Sequence, residues 1–166
     1  MSYSKYYSEW AENPLSFWDE KAKEISWIKP YEKTLQKTDN YYEWFYKGKL
    51  NTCYNCVDKH VKNGKSEKVA IIYDSPITNT KKKITYSKLL KRVSSLAASL
   101  NNMGVKKGDR VILYMPMIPE VIISMLACAR IGAIHSVVFG GFAAEELASR
   151  ISDVLPKVII SASCGL

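Results

Sequence analysis

Apolar and polar positions change period several times along this chain. The run VAIIYD (Val69–Asp74) reads as a strand, and a polar stretch around Ser75–Lys82 separates it from a second one, KITY (Lys83–Tyr86). This spacing predicts an antiparallel hairpin with a loop longer than the tight two-residue types. Lys81–Lys83 read as a solvated turn just ahead of the second strand. From Tyr86 the period switches, with Leu89, Leu90, Val93, Leu96, Ala97 and Leu100 recurring at three and four. That predicts an amphipathic helix packed on a sheet, stopped by Gly104. Beyond it, three apolar runs, RVILYM, GAIHSVVF and KVIISA, alternate with helical runs over Pro119–Arg130 and Ala143–Leu155. Strand and helix in alternation predict a parallel α/β sheet. The little polar alternation in these runs predicts strands buried on both faces, the last of them central. Pro119 suits a first helical turn and Glu120 the positive end of its dipole. The helix VIISMLACARIG is apolar nearly all round, so both of its sides should be covered, and Gly132 should stop it.

Residues 1–50 follow no such period. They gather Trp10, Phe17, Trp18, Trp27, Tyr31, Tyr41, Tyr42, Trp44, Phe45 and Tyr46. Asn13 and Pro14 predict the cap and first residue of a helix over LSFWDEKAKE. Leu50–Val61 reads as helical from near Tyr54, ending at Asn63-Gly64 in a left-handed cap. The aromatic stretch reads as an extension anchored by large rings. It is not a nucleic-acid platform, which would place its aromatics on regular strands interleaved with basic residues. WFYKGKL, with rings and lysines together, leaves a membrane-surface role as a minor alternative.

The 166 residues suffice for one domain with a real core, and 47% hydrophobic against 24% charged is the balance of a soluble protein. No apolar run reaches the roughly 18–20 residues of a membrane span. The start lacks the apolar stretch of a secretory signal and the Arg-rich character of a transit peptide, so cytoplasm is the expected compartment, with the mitochondrial matrix as the alternative. The net charge of +8 is spread along the chain, which does not single out a polyanion partner.

Among the four cysteines, Cys53 and Cys56 form a C-x-x-C pair with His60 four residues on. Such spacing can open a zinc site or a redox pair. No second pair follows, Cys128 lies in an apolar helix and Cys164 after the last strand, so packing cysteines are the expectation and no metal site is assigned. His135 reads as a hydrogen-bonded core histidine, since no nucleophile or acid stands beside it in sequence. Phe139-Gly140-Gly141-Phe142 is the most informative local feature. It follows a parallel strand and precedes a helix, where open α/β sheets bind ligands. Glycine there serves either a bare turn or the close approach of a ligand to the backbone. The pattern is neither a dinucleotide fingerprint nor a P-loop. Glu145 and Glu146, in the first turn that follows, disfavour a phosphate on that terminus.

The blocks WFYKGKLNTCYNCVDKH, RVILYMPMIPE, MLACARIGAIHSVVFGGFAAEELASRI and PKVIISASCG resemble the amino-terminal part of short-chain acyl-CoA synthetases, the acetyl- and propionyl-CoA synthetases of the adenylate-forming superfamily. SASCG, CYNC and DKH are most similar to the propionyl branch. The resemblance implies an α/β fold with a helical or irregular extension over 1–62, and over 67–166 the start of an AMP-binding (adenylation) domain with a largely parallel sheet. The implied reaction joins a short-chain carboxylate (propionate or acetate) to coenzyme A through an acyl-adenylate, consuming ATP with Mg2+ and releasing AMP and pyrophosphate. Gly140 and Gly141 match a glycine pair near the channel of the coenzyme A pantetheine arm. The family's phosphate loop, acyl pocket, magnesium ligand and catalytic lysine have no counterpart in these residues, so no catalytic residue is assigned. The chain is expected to be an N-terminal fragment, inactive alone, with exposed sheet surface able to self-associate. The competing expectation is a small non-catalytic protein that binds a partner through its aromatic region.

Overall fold

The computed structural model describes residues 2–141 and 143–163. The chain divides into two compact units, Met1–Asn51 and Thr52–Leu166.

In the first unit, α1 (Tyr3–Glu12) precedes α2 (Pro14–Ala22). Asn13 caps α2, its Oδ1 accepting from the Ser16 N–H at 3.0 Å, with Pro14 at the first helical position as the sequence predicts. Four short strands follow, β1 (Trp27–Lys29), β2 (Lys33–Lys37), β3 (Tyr42–Tyr46) and β4 (Lys49–Leu50). They pair antiparallel as β2 with β3 and β1 with β4. The apolar period missed α1 and these strands, because their apolar positions are rings mixed with charges. Ring packing replaces an aliphatic core. Trp27, Tyr31 and Phe45 lie with centroids 5.1–5.5 Å apart. The indole N–H of Trp27 donates to the Ala22 carbonyl at 2.9 Å. The hydroxyls of Tyr31 and Thr34 donate to the Asp19 carboxylate at 2.8 and 2.9 Å, tying α2 to β2.

The second unit opens on a helical segment with widened turns at Tyr54–Asp58 and Val61–Lys65, in which Gly64 adopts the left-handed conformation. Cys53 and Val57 are fully buried in the core of this unit. β5 (Val69–Ser75) and β6 (Thr80–Thr85) form the antiparallel hairpin. The lysine run departs from its expected place. Lys81–Lys83 lie within β6 rather than in the turn, opposite Asp74, Tyr73 and Ile72. Their side chains are exposed, and the Lys81 ammonium meets the Asp74 carboxylate at 2.8 Å. The turn is residues 76–79, where Asn79 takes a positive φ of 46° that asparagine tolerates.

Next come α3 (Tyr86–Asn102), β7 (Arg110–Met115), α4 (Pro119–Ile131), β8 (Ile134–Phe139), α5 (Ala144–Val154) and β9 (Val158–Ser161). β7 pairs in parallel with both β8 and β9. The strand order is β8-β7-β9, so among the described residues β9 pairs only with β7 and lies at an edge of this sheet. Only β7 is buried along most of its length. Ile134, Val137 and Phe139 of β8 and Ile159 of β9 remain 43–56% exposed, because each outer strand has one neighbour and incomplete cover. The expected full cover of α4 is likewise incomplete, since Ile122 is half exposed.

Val111, Leu113 and Met115 face α3 and α4, packing with Val93, Val121, Ile123 and Ala127. On the opposite face, Arg110 donates to the Val154 and Leu155 carbonyls at 3.0 and 3.2 Å, fixing the end of α5 there. Leu155 caps α5 at a φ of 47°, a conformation costly for a branched side chain. At α4 the left-handed cap is a glycine, Gly132 at a φ of 74°, as the sequence predicts.

Candidate functional site

Because β7, β8 and β9 are parallel, Met115, Phe139 and Ser161 close the same edge of the sheet. Helix α4, after β7, lies on one face, and α5, after β8, lies on the other. The crevice between the ends of β7 and β8 is therefore the switch point at which open α/β sheets receive ligands. Gly140 and Gly141 lie there. Gly140 donates its N–H to the Met115 carbonyl at 3.2 Å. Both glycines have ordinary φ, so the turn does not need glycine for its dihedrals. At Gly140 close approach requires it instead, since a Cβ there would stand 2.8 Å from the Met115 carbonyl carbon, a main-chain atom, whereas a Cβ on Gly141 would stand 2.6 Å from a side chain, the Phe139 ring. Phe142 and Cys164 lie outside the described residues.

Beside this crevice is a cavity of about 340 Å³, lined by Ser75 and Ile77 of the hairpin, Pro116, Met117 and Ile118 after β7, and Ala162 after β9. A larger groove of about 570 Å³ runs between α3 and α4, over Leu96, Met115, Ile118, Ile123 and Ile160. Arg92 and Glu120 meet at its rim, 2.6 Å apart. Partial burial pushes the Glu120 carboxyl up, but the Arg92 hydrogen bond and charge outweigh it and hold the group below its ordinary value.

The structure separates the other candidates. Cys53 is buried and Cys56 exposed. Arg130 donates to the Asp58 carboxylate with both terminal nitrogens, at 2.7 and 2.9 Å, and reaches the Cys53 sulfur at 3.6 Å. Burial raises the Cys53 thiol above its usual range against the opposing pull of Arg130, and it pushes Cys128 up to about 11. Both are therefore protonated at neutral pH. His60 packs its ring against Tyr86 at 4.8 Å. His135 is half buried in β8, and burial lowers its pKa. Glu145 and Glu146 stand exposed in the first turn of α5. Among the described residues no three His, Cys, Asp or Glu side chains are grouped to hold a metal ion, and no helix is long and apolar enough to cross a membrane. The Glu145 and Glu146 carboxylates make the α5 terminus, beside Gly140 and Gly141, unfavourable for a phosphate.

Sequence reasoning missed the clamp between Asp58 and Arg130. The signal was present: Arg130 is the sole cation of α4, at its largely apolar carboxyl end, and Asp58 the sole acid of LNTCYNCVDKHV.

Two family models match in chain order: the acetyl-coenzyme A synthetase N-terminus over residues 3–56 and the AMP-binding enzyme over residues 57–165. The human acyl-CoA synthetase short-chain family member 3, mitochondrial, is 54% identical over 165 residues, covering 99% of this chain and 24% of that protein. An acetyl-coenzyme A synthetase of Shewanella sp. is 47% identical over 169 residues, covering 99% of this chain and 26% of that protein. Among solved structures, the acetoacetyl-CoA synthetase of Streptomyces lividans superposes with a TM-score of 0.82 at 27% identity, covering 92% of this chain and 24% of that one. This chain thus spans about a quarter of the length of such relatives. With the AMP-binding match running through the sheet and both of its crossover helices, and the acetyl-coenzyme A synthetase N-terminus match ahead of it, the chain belongs to the AMP-binding enzyme family.

Proposed function

We propose that these residues begin an AMP-forming ligase that activates a short-chain carboxylate, propionate or acetate, through an acyl-adenylate and transfers it to coenzyme A. The observation that carries this reading is the order of the two family matches, which together account for nearly the whole chain. The extension occupies 1–62 and the opening of the adenylation domain 67–166. The turn at Gly140 and Gly141 is the point nearest the pantetheine arm of the coenzyme. ATP, coenzyme A and Mg2+ are the small-molecule partners of the complete enzyme. Adenylate formation needs positive charge arranged around a polyphosphate in an enclosed site, and no such enclosure is built by the described residues. The 166-residue chain alone is therefore inactive, and its exposed strands β8 and β9 favour self-association. Relatives at 54% identity carry the word mitochondrial in their names, which favours the mitochondrial matrix over the cytoplasm for this protein.

The test measures AMP release from ATP and coenzyme A with propionate or acetate. The complete enzyme should release AMP with one acid preferred, and the 166-residue chain should not. AMP from the chain alone removes the inactivity claim. No acid-dependent AMP from the complete enzyme removes the ligase reading.

A further inference from the structure

The groove between α3 and α4, about 570 Å³, has the size of a small-molecule site. Its floor is aliphatic, built by Leu96 of α3, Met115 at the end of β7, Ile118 and Ile123 at the start of α4, and Ile160 of β9. Met115 and Ile123 are buried in the core, and the other three pack against it. Residues held this way keep the shape of the floor without an occupant.

The rim is charged, and its charge is mostly positive. Arg92 donates to the Glu120 carboxylate through one terminal nitrogen at 2.6 Å, which leaves the guanidinium fork unsaturated by that one acid. Lys91 beside it is exposed, and its ammonium has no hydrogen bond or ion pair among the described residues. Lys82 of β6 lies near enough to add to the pull that lowers the Glu120 carboxyl. Helix α4 also starts here without a side-chain cap at Ile118, so its positive end faces no cap of its own. Three cations and a helix start thus stand against the single carboxylate of Glu120. That carboxylate shows which head group Arg92 accepts at this place. An apolar floor below a rim of net positive charge complements a molecule with an aliphatic tail and one anionic head.

We infer that the α3–α4 groove is a binding site for a medium-chain carboxylate, its tail over Leu96, Ile118, Ile123 and Ile160 and its head group at Lys91 and Arg92. The inference goes beyond the ligase reading and does not rest on it, since it concerns binding alone and no step of acyl transfer.

The experiment titrates the chain, isotope-labelled at its methionine methyl groups, with decanoate and with decanol as the uncharged control. Met115 lies in the floor of the groove, Met117 lines the 340 Å³ cavity, and Met103 is exposed beyond α3. Decanoate should shift the Met115 methyl resonance saturably and leave those of Met103 and Met117 in place. It should bind about five-fold more tightly than decanol, the effect of one ion pair at a solvated rim. Lys91→Ala should erase most of that preference and leave decanol binding as it was. Glu120→Gln removes the competing carboxylate and should tighten decanoate binding about as much. Equal binding of the two amphiphiles overturns the proposal. So does a preference that survives Lys91→Ala, weaker decanoate binding by Glu120→Gln, or a shift of Met117 without Met115. The same titration on the complete enzyme tells a ligand from a protein segment that covers the groove. Binding should persist there, and its loss would overturn the ligand site and assign the groove to packing by the enzyme's other residues. None of these readouts uses AMP release, so failure of the ligase reading and failure of this one are told apart.

Discussion

The two units of this chain reach order by opposite means. Among the described residues of the first, only Ala22 is buried, and the unit relies on ring contacts, an indole hydrogen bond and a carboxylate held by two hydroxyls. The second buries a continuous aliphatic cluster, in which Val93, Val111, Leu113 and Ala127 are fully enclosed. About fifty residues cannot enclose many aliphatic side chains, because surface outruns volume at that size. Large rings suit such a unit, since each contributes broad contact area without full burial. The contrast separates energetics as well: the first unit should respond to pH and to loss of directional bonds, the second to loss of volume.

The largest expected effect falls in the aliphatic unit. Leu113→Ala should cost about 3 kcal/mol, read as a shift in the urea transition followed by far-UV circular dichroism. All four tryptophans, Trp10, Trp18, Trp27 and Trp44, belong to the first unit, so tryptophan fluorescence in the same titration reads the aromatic unit alone. A loss well below 1 kcal/mol would mean that the aliphatic cluster does not hold the second unit.

Next in size is the clamp. Asp58→Ala removes a bidentate carboxylate from a partly buried guanidinium and should cost about 2 kcal/mol by the same titration. An effect as small as that of a surface pair would show that the helical segment from Thr52 is held by Cys53 and Val57 packing alone.

A pH titration sharpens the other side. The hydroxyls of Tyr31 and Thr34 donate to the charged form of Asp19 and hold its carboxyl below the ordinary value. The unfolded chain therefore takes up the proton first. The stabilisation is fully present above the ordinary aspartate range, about pH 4, and is lost as pH falls through the depressed folded value. Tyr31→Phe removes the first donor. Its deficit relative to the parent chain should be visible in tryptophan fluorescence at neutral pH and should shrink in acid. A deficit independent of pH would assign Tyr31 a packing role only.

Smallest is the exposed pair on the hairpin. Lys81→Ala should change stability by no more than about 0.5 kcal/mol, checked by thermal unfolding in low and high salt.

Much of the second unit was legible because local period carries it. Leu89 through Leu100 recur at helical spacing, and Gly132 and Gly64 stand at the left-handed ends expected of them. What could not be read was pairing across distance. Nothing in KVIISA tells that β9 will pair with β7 rather than with β8, since composition reports burial tendency and not strand order. Lys81–Lys83 are poor strand formers by composition, yet the ladder to Ile72, Tyr73 and Asp74 extends β6 through them. At the site, glycine after a strand was visible, but its reason was not. The contact of Gly140 with Met115 depends on two strand ends brought together by a crossover helix.

The position of those three lysines has a consequence for proteolysis. A lysine run at a loop tip is the kind of site trypsin cuts first, because the protease needs a locally unfolded stretch to grip. The run instead lies within a paired strand, while the tip itself, residues 76–79, contains no lysine or arginine. In the folded chain the peptide bonds after Lys81, Lys82 and Lys83 should therefore outlast basic sites in unpaired backbone. Early cleavage at the run would report that the hairpin had opened.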